Sequence, residues 1–320
     1  LRRWSCLRRT AGQVGALMVD LRVDFAGVEL RNPVLLASGT CNYGQELLPL
    51  TDFTRLGGLV TKTITPQPRG GNAPQRIIET PAGMLNSIGL QNPGLEDFIG
   101  DKWDFLAGLD AQIVVNIAGF AVDEFALMAE RLEALAGIAA LEVNISCPNV
   151  EEGGDSFANR PETAAAVIAA VRARTRRPII AKLSPNVTDI TAIARAVVEA
   201  GADAVSLINT LIGMAIDIDR RKPVLGNTTG GLSGPAIKPV ALAMVWKVAQ
   251  AVAVPVMGIG GISSAQDALE FIVAGASAVQ VGTASFANPN AGVEVVEGIR
   301  AYCQQRGIER GGALVGTLQT

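Results

Sequence analysis

The stretch from Leu141 to Val150 carries the densest chemical signal in the chain, reading L-E-V-N-I-S-C-P-N-V. Leu141, Val143 and Ile145 alternate with Glu142, Asn144 and Ser146, the pattern of a short strand whose two faces do different work. Proline has no N–H to give a sheet ladder, so the strand is expected to stop at Cys147-Pro148. That leaves a thiol at its C-terminal edge between the carboxamides of Asn144 and Asn149. A free cysteine is often just a small buried hydrophobe. In a polar setting it becomes a candidate general base, and a thiol of reference pKa about 8.5 then needs mildly alkaline conditions or a neighbouring cation such as Lys62.

The chain has no histidine. This removes the commonest general base, the Ser-His and Cys-His arrangements and most transition-metal sites, and leaves acid–base work to Cys, Ser, Lys, Tyr or a carboxylate. Lys62 and Lys182 stand at or near the ends of apolar runs, where a lysine either faces a ligand or snorkels to solvent. Each could oppose an anion, or one could form a Schiff base. Asn86, Asn116, Asn144, Asn149 and Asn209 suit a flat ligand with alternating donors and acceptors, because a carboxamide can match either. Gly258, Gly260 and Gly261, followed by Gly282-Thr283, place bare backbone N–H groups where a phosphate could sit, on a substrate or on a cofactor. Tight turns without a ligand are the alternative.

These residues are positioned by apolar runs at regular intervals. Val34 to Ala37, Gly58 to Thr61, Ile113 to Ile117, Leu141 to Ile145, Ile179 to Leu183, Ala204 to Ile208, Val254 to Gly258 and Ala278 to Val281 read as strands. Amphipathic stretches at Glu124 to Ala136, Pro161 to Thr175, Ile190 to Ala200, Lys238 to Val252 and Ser264 to Ala274 read as helices between them. The alternation predicts an α/β fold, a (β/α)8 TIM barrel, with a doubly wound open sheet as the alternative. The polar and glycine positions above then fall at strand C-termini, where such barrels keep their sites. Thr63 to Asp110 is too long for a simple connection and is expected to form a small strand-rich excursion capping the barrel mouth. Pro148 to Arg160, with Glu151-Glu152-Gly153-Gly154, reads as a mobile lid or as a solvated loop.

Composition agrees. Among 320 residues, 49% are hydrophobic, 35 are glycine and only 4% are aromatic, which favours one barrel built from small aliphatic residues. The net charge of −3 and the absence of a basic stripe argue against nucleic acid. Cys6, Cys41, Cys147 and Cys303 form neither a CxxC pair nor a disulfide framework, which suggests a reducing, cytoplasmic setting and no metal cluster. No stretch is long and unbroken enough for a membrane helix. Residues 1–18, with Arg2, Arg3, Arg8 and Arg9, are expected to be an N-terminal extension, disordered or not native, ahead of a start at Met18; a targeting signal is the lesser alternative. Residues 19–320 are expected to form one catalytic domain.

The order of motifs resembles the class 1 dihydroorotate dehydrogenases from about Val19 to Phe286. The resemblance rests on N-P-V-L-L-A-S-G-T (32–40), T-K-T-I-T-P-Q-P-R-G-G-N (61–72), E-T-P-A-G-M-L-N-S-I-G-L-Q-N-P-G (79–94), V-N-I-S-C-P-N-V (143–150), K-L-S-P-N-V-T-D-I (182–190), I-N-T (208–210) and the two glycine turns. The 61–94 stretch is most similar to class 1B.

The resemblance implies FMN-dependent oxidation of dihydroorotate to orotate in pyrimidine (UMP) biosynthesis. Cys147 would take the C5 proton while hydride passes from C6 to flavin N5. It implies FMN contacts at Ala37, Ser38, Gly39, Lys62, Thr63, Asn116, Asn144, Lys182 and Ile208, with the phosphate at Gly234, Gly260, Gly261, Gly282 and Thr283. It implies substrate contacts at Lys62, Asn86, Ile88, Gly89, Leu90, Asn144, Asn149, Asn209 and Thr210. It further implies a homodimer joined by a separate subunit carrying FAD and a [2Fe–2S] cluster, as a heterotetramer passing electrons to NAD. Competing readings are a flavin-dependent dihydropyrimidine dehydrogenase, a Schiff-base barrel aldolase and a non-catalytic flavin-binding barrel.

Overall fold

The computed structural model describes residues 18–146 and 156–320. The chain opens with an antiparallel hairpin, β1 (Val23–Phe25) and β2 (Val28–Leu30), and then enters a barrel through β3 (Val34–Leu36) and β4 (Gly58–Val60). An excursion supplies β5 (Ile77–Thr80) and β6 (Gly83–Asn86). The barrel resumes with β7 (Gln112–Ile117), β8 (Ile138–Asn144), β9 (Ile179–Lys182) and β10 (Ala204–Leu207). A second excursion carries β11 (Leu211–Gly213), β12 (Ile216–Asp217), β13 (Lys222–Pro223) and β14 (Gly230–Ser233), and β15 (Val256–Ile259) and β16 (Ala278–Val281) complete the barrel.

Strands β3, β4, β7, β8, β9, β10, β15 and β16 pair in that order, every pair parallel, and β16 returns to β3, so the barrel is closed. Helices Val122–Glu133, Pro161–Arg172, Ile190–Glu199, Lys238–Ala249 and Ala265–Val273 fill the connections between later strands, and Ala291–Arg306 follows the last. This is the (β/α)8 architecture expected from the alternation. The helix starts carry their own signals: Asp189 and Ser264 accept backbone N–H groups of the first turn, and Pro161 takes the first helical position. Gly201 and Gly275, at φ +110° and +121°, turn the chain from a helix end into the next strand.

Side chains alternate across the barrel wall. Outward, Val115, Leu141, Ile179, Val205 and Val279 pack against Phe125, Met128, Val167, Ile193, Val197 and Phe271 from the helices. Inward, one residue from each strand, Leu35, Val60, Val114, Ala140, Ile180, Ala204, Met257 and Ala278, joins Phe25, Val28 and Leu30 of the hairpin in a separate apolar cluster. The hairpin thereby closes the end of the barrel at which the strands begin.

At the opposite end β11, β14, β6 and β5 form a four-stranded antiparallel sheet. The expected excursion therefore supplies half of this roof. The other half comes from residues 211–233, where Gly226, Gly230 and Gly231 break any apolar periodicity and hide the strands from sequence reading. Far from the roof, Asp20 bridges to Arg310, its N–H donating to Glu309 O (2.8 Å) and its carbonyl accepting from Gly311 N (2.9 Å). No helix among the described residues is long and apolar enough to cross a membrane.

Candidate active site

A cavity of about 970 Å³ lies between the strand C-termini and the roof, within the size range of sites that enclose small ligands. Seven of the eight barrel strands deliver residues to it as they end, β7 being the exception. Ala37, Ser38 and Gly39 follow β3, and Lys62 and Thr63 follow β4. Asn144 and Ser146 come from β8, Lys182 from β9, and Ile208, Asn209 and Thr210 from β10. Gly260 and Gly261 follow β15, and Gly282 and Thr283 follow β16. The roof adds Asn86, Ile88, Gly89, Leu90 and Gly234. Cys147 and Asn149 lie outside the described residues. Every other sequence-derived site residue lines this one space except Asn116 and Gly258.

Asn116 sits deeper, fully buried, and its Nδ2 donates to Glu142 Oε1 at 2.6 Å. Glu142 is the residue that sequence reasoning passed over. Its carboxylate, with no exposure at all, also accepts from Lys182 Nζ (3.3 Å), Ser206 Oγ (3.0 Å) and Gln280 Nε2 (2.7 Å). Four donors saturate a carboxylate, which is what burying the charge requires. The signal was available: an acid two residues before Asn144 in an apolar parallel strand must point inward with it. Because Asn116 turns its amide nitrogen to Glu142, its Oδ1 is left buried with no partner among the described residues; Gln280 Oε1 and Ser146 Oγ share that state.

Lys62 stands in contrast to Lys182. It has no carboxylate partner among the described residues, and burial, then the Lys182 charge, pull its pKa below the ordinary lysine value. A ligand anion would relieve both effects. Gly39 lies beside it, with Nζ 3.9 Å from where a β-carbon would stand. Arg69, whose guanidinium covers Phe120 at 4.5 Å, and Lys102 add further positive charge to the lining.

The carboxamides are oriented by local bonds. Asn144 Oδ1 accepts from Ser146 N (3.2 Å) and Asn209 Nδ2 (3.4 Å), and Asn209 Oδ1 accepts from Thr210 N (2.9 Å). Both bonds go to the Asn144 oxygen, and its amide nitrogen has no partner among the described residues. In the roof, Asn72 receives the 87–90 loop: its N–H donates to Ile88 O (3.0 Å) and its Nδ2 to Ser87 O (3.1 Å). Gly89 lies so close to Asn72 that a β-carbon would meet its Oδ1 at 2.5 Å, and Leu90 is held at φ +55°. A backbone fixed this tightly presents its N–H groups without further ordering.

At the other end the glycines form a cradle. A β-carbon on Gly261 would stand 2.8 Å from Gly234 O and 2.9 Å from Lys238 N, and one on Gly234 would stand 2.7 Å from the Gly83 α-carbon. Gly258, read from sequence as part of this group, instead faces outward from β15, where a β-carbon would strike the Phe271 ring at 2.5 Å. It is a packing glycine. Of the other cysteines, Cys41 is buried, its thiol set against backbone carbonyls, and burial pushes it up to about 12. No cluster of metal-ligating side chains occurs among the described residues.

A parallel barrel with a roofed cavity over its strand C-termini, and polar and glycine residues where its strands end, has the arrangement in which barrel enzymes keep their active sites. The dihydroorotate dehydrogenase family model matches residues 20–302, and the chain belongs to that family of oxidoreductases. It is 56% identical over 300 residues to the dihydroorotate dehydrogenase B (NAD(+)) catalytic subunit of Pelobacter propionicus, covering 94% of this chain and 99% of the relative. The catalytic subunits of the same name from Trichlorobacter lovleyi (56%; 93% and 98% covered) and Desulforudis audaxviator (55%; 94% and 98% covered) are similar to the same extent.

Proposed function

We propose that this chain oxidises dihydroorotate to orotate with a bound FMN, in the pyrimidine pathway to UMP, as the catalytic subunit of an NAD-linked enzyme of class 1B. The observation that carries the reading is one cavity in which a lysine with no carboxylate partner among the described residues, oriented carboxamides and a glycine cradle meet, in a chain that matches the family from residue 20 to 302. The residues fit the cofactor. Gly234, Gly260, Gly261, Gly282 and Thr283 would take the phosphate, since a side chain on the closest-packed of them would collide with backbone. Ala37, Ser38, Gly39, Thr63, Lys182 and Ile208 would take the ring and ribityl chain. The unmet acceptor at Asn116 Oδ1 suits a ligand N–H from below. When bound, FMN supplies the two-electron acceptor for hydride.

The chain's own residues do the remainder. Lys62 would oppose the substrate carboxylate, helped by the backbone of Ile88, Gly89 and Leu90. Asn86, Asn144, Asn149, Asn209 and Thr210 would hold the flat ring in one plane. Cys147 would remove the C5 proton, a step that a positioned general base typically accelerates by about 10²–10⁴-fold. The relatives' name, catalytic subunit, supports a partner chain. In this reading that partner carries FAD and a [2Fe–2S] cluster, and a homodimer of this chain binds it to form a heterotetramer in the cytoplasm.

The test is an anaerobic absorbance spectrum of the purified chain before and after dihydroorotate. A flavin band that bleaches with dihydroorotate and persists with dihydrouracil supports the reading. A colourless protein that FMN cannot reconstitute, or bleaching by dihydrouracil alone, defeats it. Replacing Cys147 by alanine is expected to slow flavin reduction by about 10²–10⁴-fold in stopped flow while FMN stays bound. Wild-type reduction should quicken as pH rises through the thiol range near 8.5.

A further inference from the structure

Outside the cavity, beneath the turn that follows β15, lies an ion network that the catalytic reading does not use. Lys238 opens the helix Lys238–Ala249, and its Nζ donates to Asp267 Oδ1 (2.7 Å) and Glu270 Oε2 (2.8 Å) on the helix Ala265–Val273. Asp267 Oδ2 also accepts from Ser263 N (3.0 Å), Ser263 Oγ (2.9 Å) and Ser264 Oγ (2.9 Å). Burial alone would raise the Asp267 carboxyl, but Lys238 and the serine donors outweigh it and hold it at about 2. Asp267, held low, and Lys238, raised by its two carboxylate partners, therefore stay ionised at neutral pH.

The network's position gives it a use. Gly261 packs so closely on Lys238 and Gly234 that a β-carbon on it would stand 2.8 Å from Gly234 O and 2.9 Å from Lys238 N, which leaves no room for one. Asp267 pins the far end of the same turn through Ser263. Between these anchors, Gly261 and Ile262 line the cavity, and their N–H groups donate to no acceptor among the described residues. None of Lys238, Asp267 and Glu270 lines the cavity.

We propose that Lys238, Asp267 and Glu270 are positioning residues that clamp the Gly260–Ser263 turn against Gly234, so that its free N–H groups are held ready for the ligand's phosphate. The inference rests on the FMN reading and adds the source of its phosphate selectivity. Two unpaired donors in a turn would otherwise rotate to water. Anchored from outside by charge-assisted bonds, they stay aimed inward at no cost at the moment of binding.

The experiment titrates apoprotein with FMN and with riboflavin, which lacks the phosphate, following quenching of flavin fluorescence. Wild type is expected to prefer FMN. D267N should lose about 10-fold in FMN affinity, the scale on which outer partners of a binding site act, with riboflavin affinity unchanged. The FMN-to-riboflavin preference then falls by the same factor. E270Q, which leaves Asp267 bound to both the turn and Lys238, should lose less. Equal losses for both flavins would make the network merely structural and overturn the proposal, as would an unchanged preference. If D267N does not fold, K238M is read by the same ratio with the same expectation. Wild-type protein that binds neither flavin overturns the FMN reading, and the clamp with it. Wild type with a clear FMN preference that the variants keep overturns the clamp alone.

Discussion

Two levels of the same barrel interior differ in almost everything but geometry. At the lower level each strand points an apolar side chain inward, and the hairpin seals the space with Phe25, Val28 and Leu30. Two residues further along the same strands, Val114 gives way to Asn116, Ala140 to Glu142, Ile180 to Lys182, Ala204 to Ser206 and Ala278 to Gln280, all buried. The lower level needs only volume to be filled. The upper level contains charges and amides that burial would penalise by several kcal/mol if any lost its partner. It exists because each group serves another: Glu142 holds Lys182 and turns Asn116, and only Asn116 Oδ1 and Gln280 Oε1 are left without a partner among the described residues. Stability and chemistry are therefore stacked along each strand, and substitutions at the two levels should leave different signatures.

Breaking the upper level should cost most. Replacing Glu142 by methionine leaves Lys182, Asn116, Ser206 and Gln280 without their acceptor, and a loss of about 3–5 kcal/mol is expected in urea unfolding. The paired change E142M/K182M removes both charges together and should recover much of that loss. If the single variant is as stable as wild type, the polar level is not the interdependent unit described above. At the lower level, Ile180→Ala empties part of the sealed floor and should cost about 3 kcal/mol, while FMN affinity stays at the wild-type value. A fall in cofactor affinity there would show the two levels to be coupled.

The smallest effect concerns Lys62 and has a sign that depends on pH. Burial, then Lys182, lowers its pKa in the folded protein below the 10.5 of a free lysine. The unfolded chain therefore binds more protons, so this lysine opposes folding at neutral pH, and the opposition fades as pH climbs through the lowered value towards 10.5. Ligand-free K62M should accordingly melt slightly above wild type at pH 7, with the difference shrinking as pH climbs towards 10.5. A constant difference would place the lysine in solvent.

The contrast between levels also separates what sequence could reveal from what it could not. The barrel was legible because its strands are runs such as Ile179 to Leu183 at regular spacing, and the glycine turns and Lys62 were legible because they sit where those runs end. Glu142 was read only as one face of an alternating strand, since partners on β7, β9, β10 and β16 cannot be inferred from one strand. Asn116 was named correctly as a strand-end carboxamide, yet its depth below the cavity depends on where β7 stops. Gly258 looked like Gly260 and Gly261 in sequence; only the Phe271 ring beside it distinguishes packing from cradle. The second half of the roof, residues 211–233, was missed because strands of two to four residues rich in glycine carry no period.

The bridge from Asp20 to Arg310 and the bonds to Glu309 and Gly311 have a bearing on how the chain can be rearranged. Strands β16 and β3, remote in sequence, close the barrel, so during synthesis the ring stays open until β16 has been made. The closeness of the segments around Asp20 and Arg310 means that a short peptide could link them, with the chain opened elsewhere. The exposed β12–β13 tip, where Ile218 and Arg221 project into solvent, offers a site for such a cut that lies outside the barrel wall.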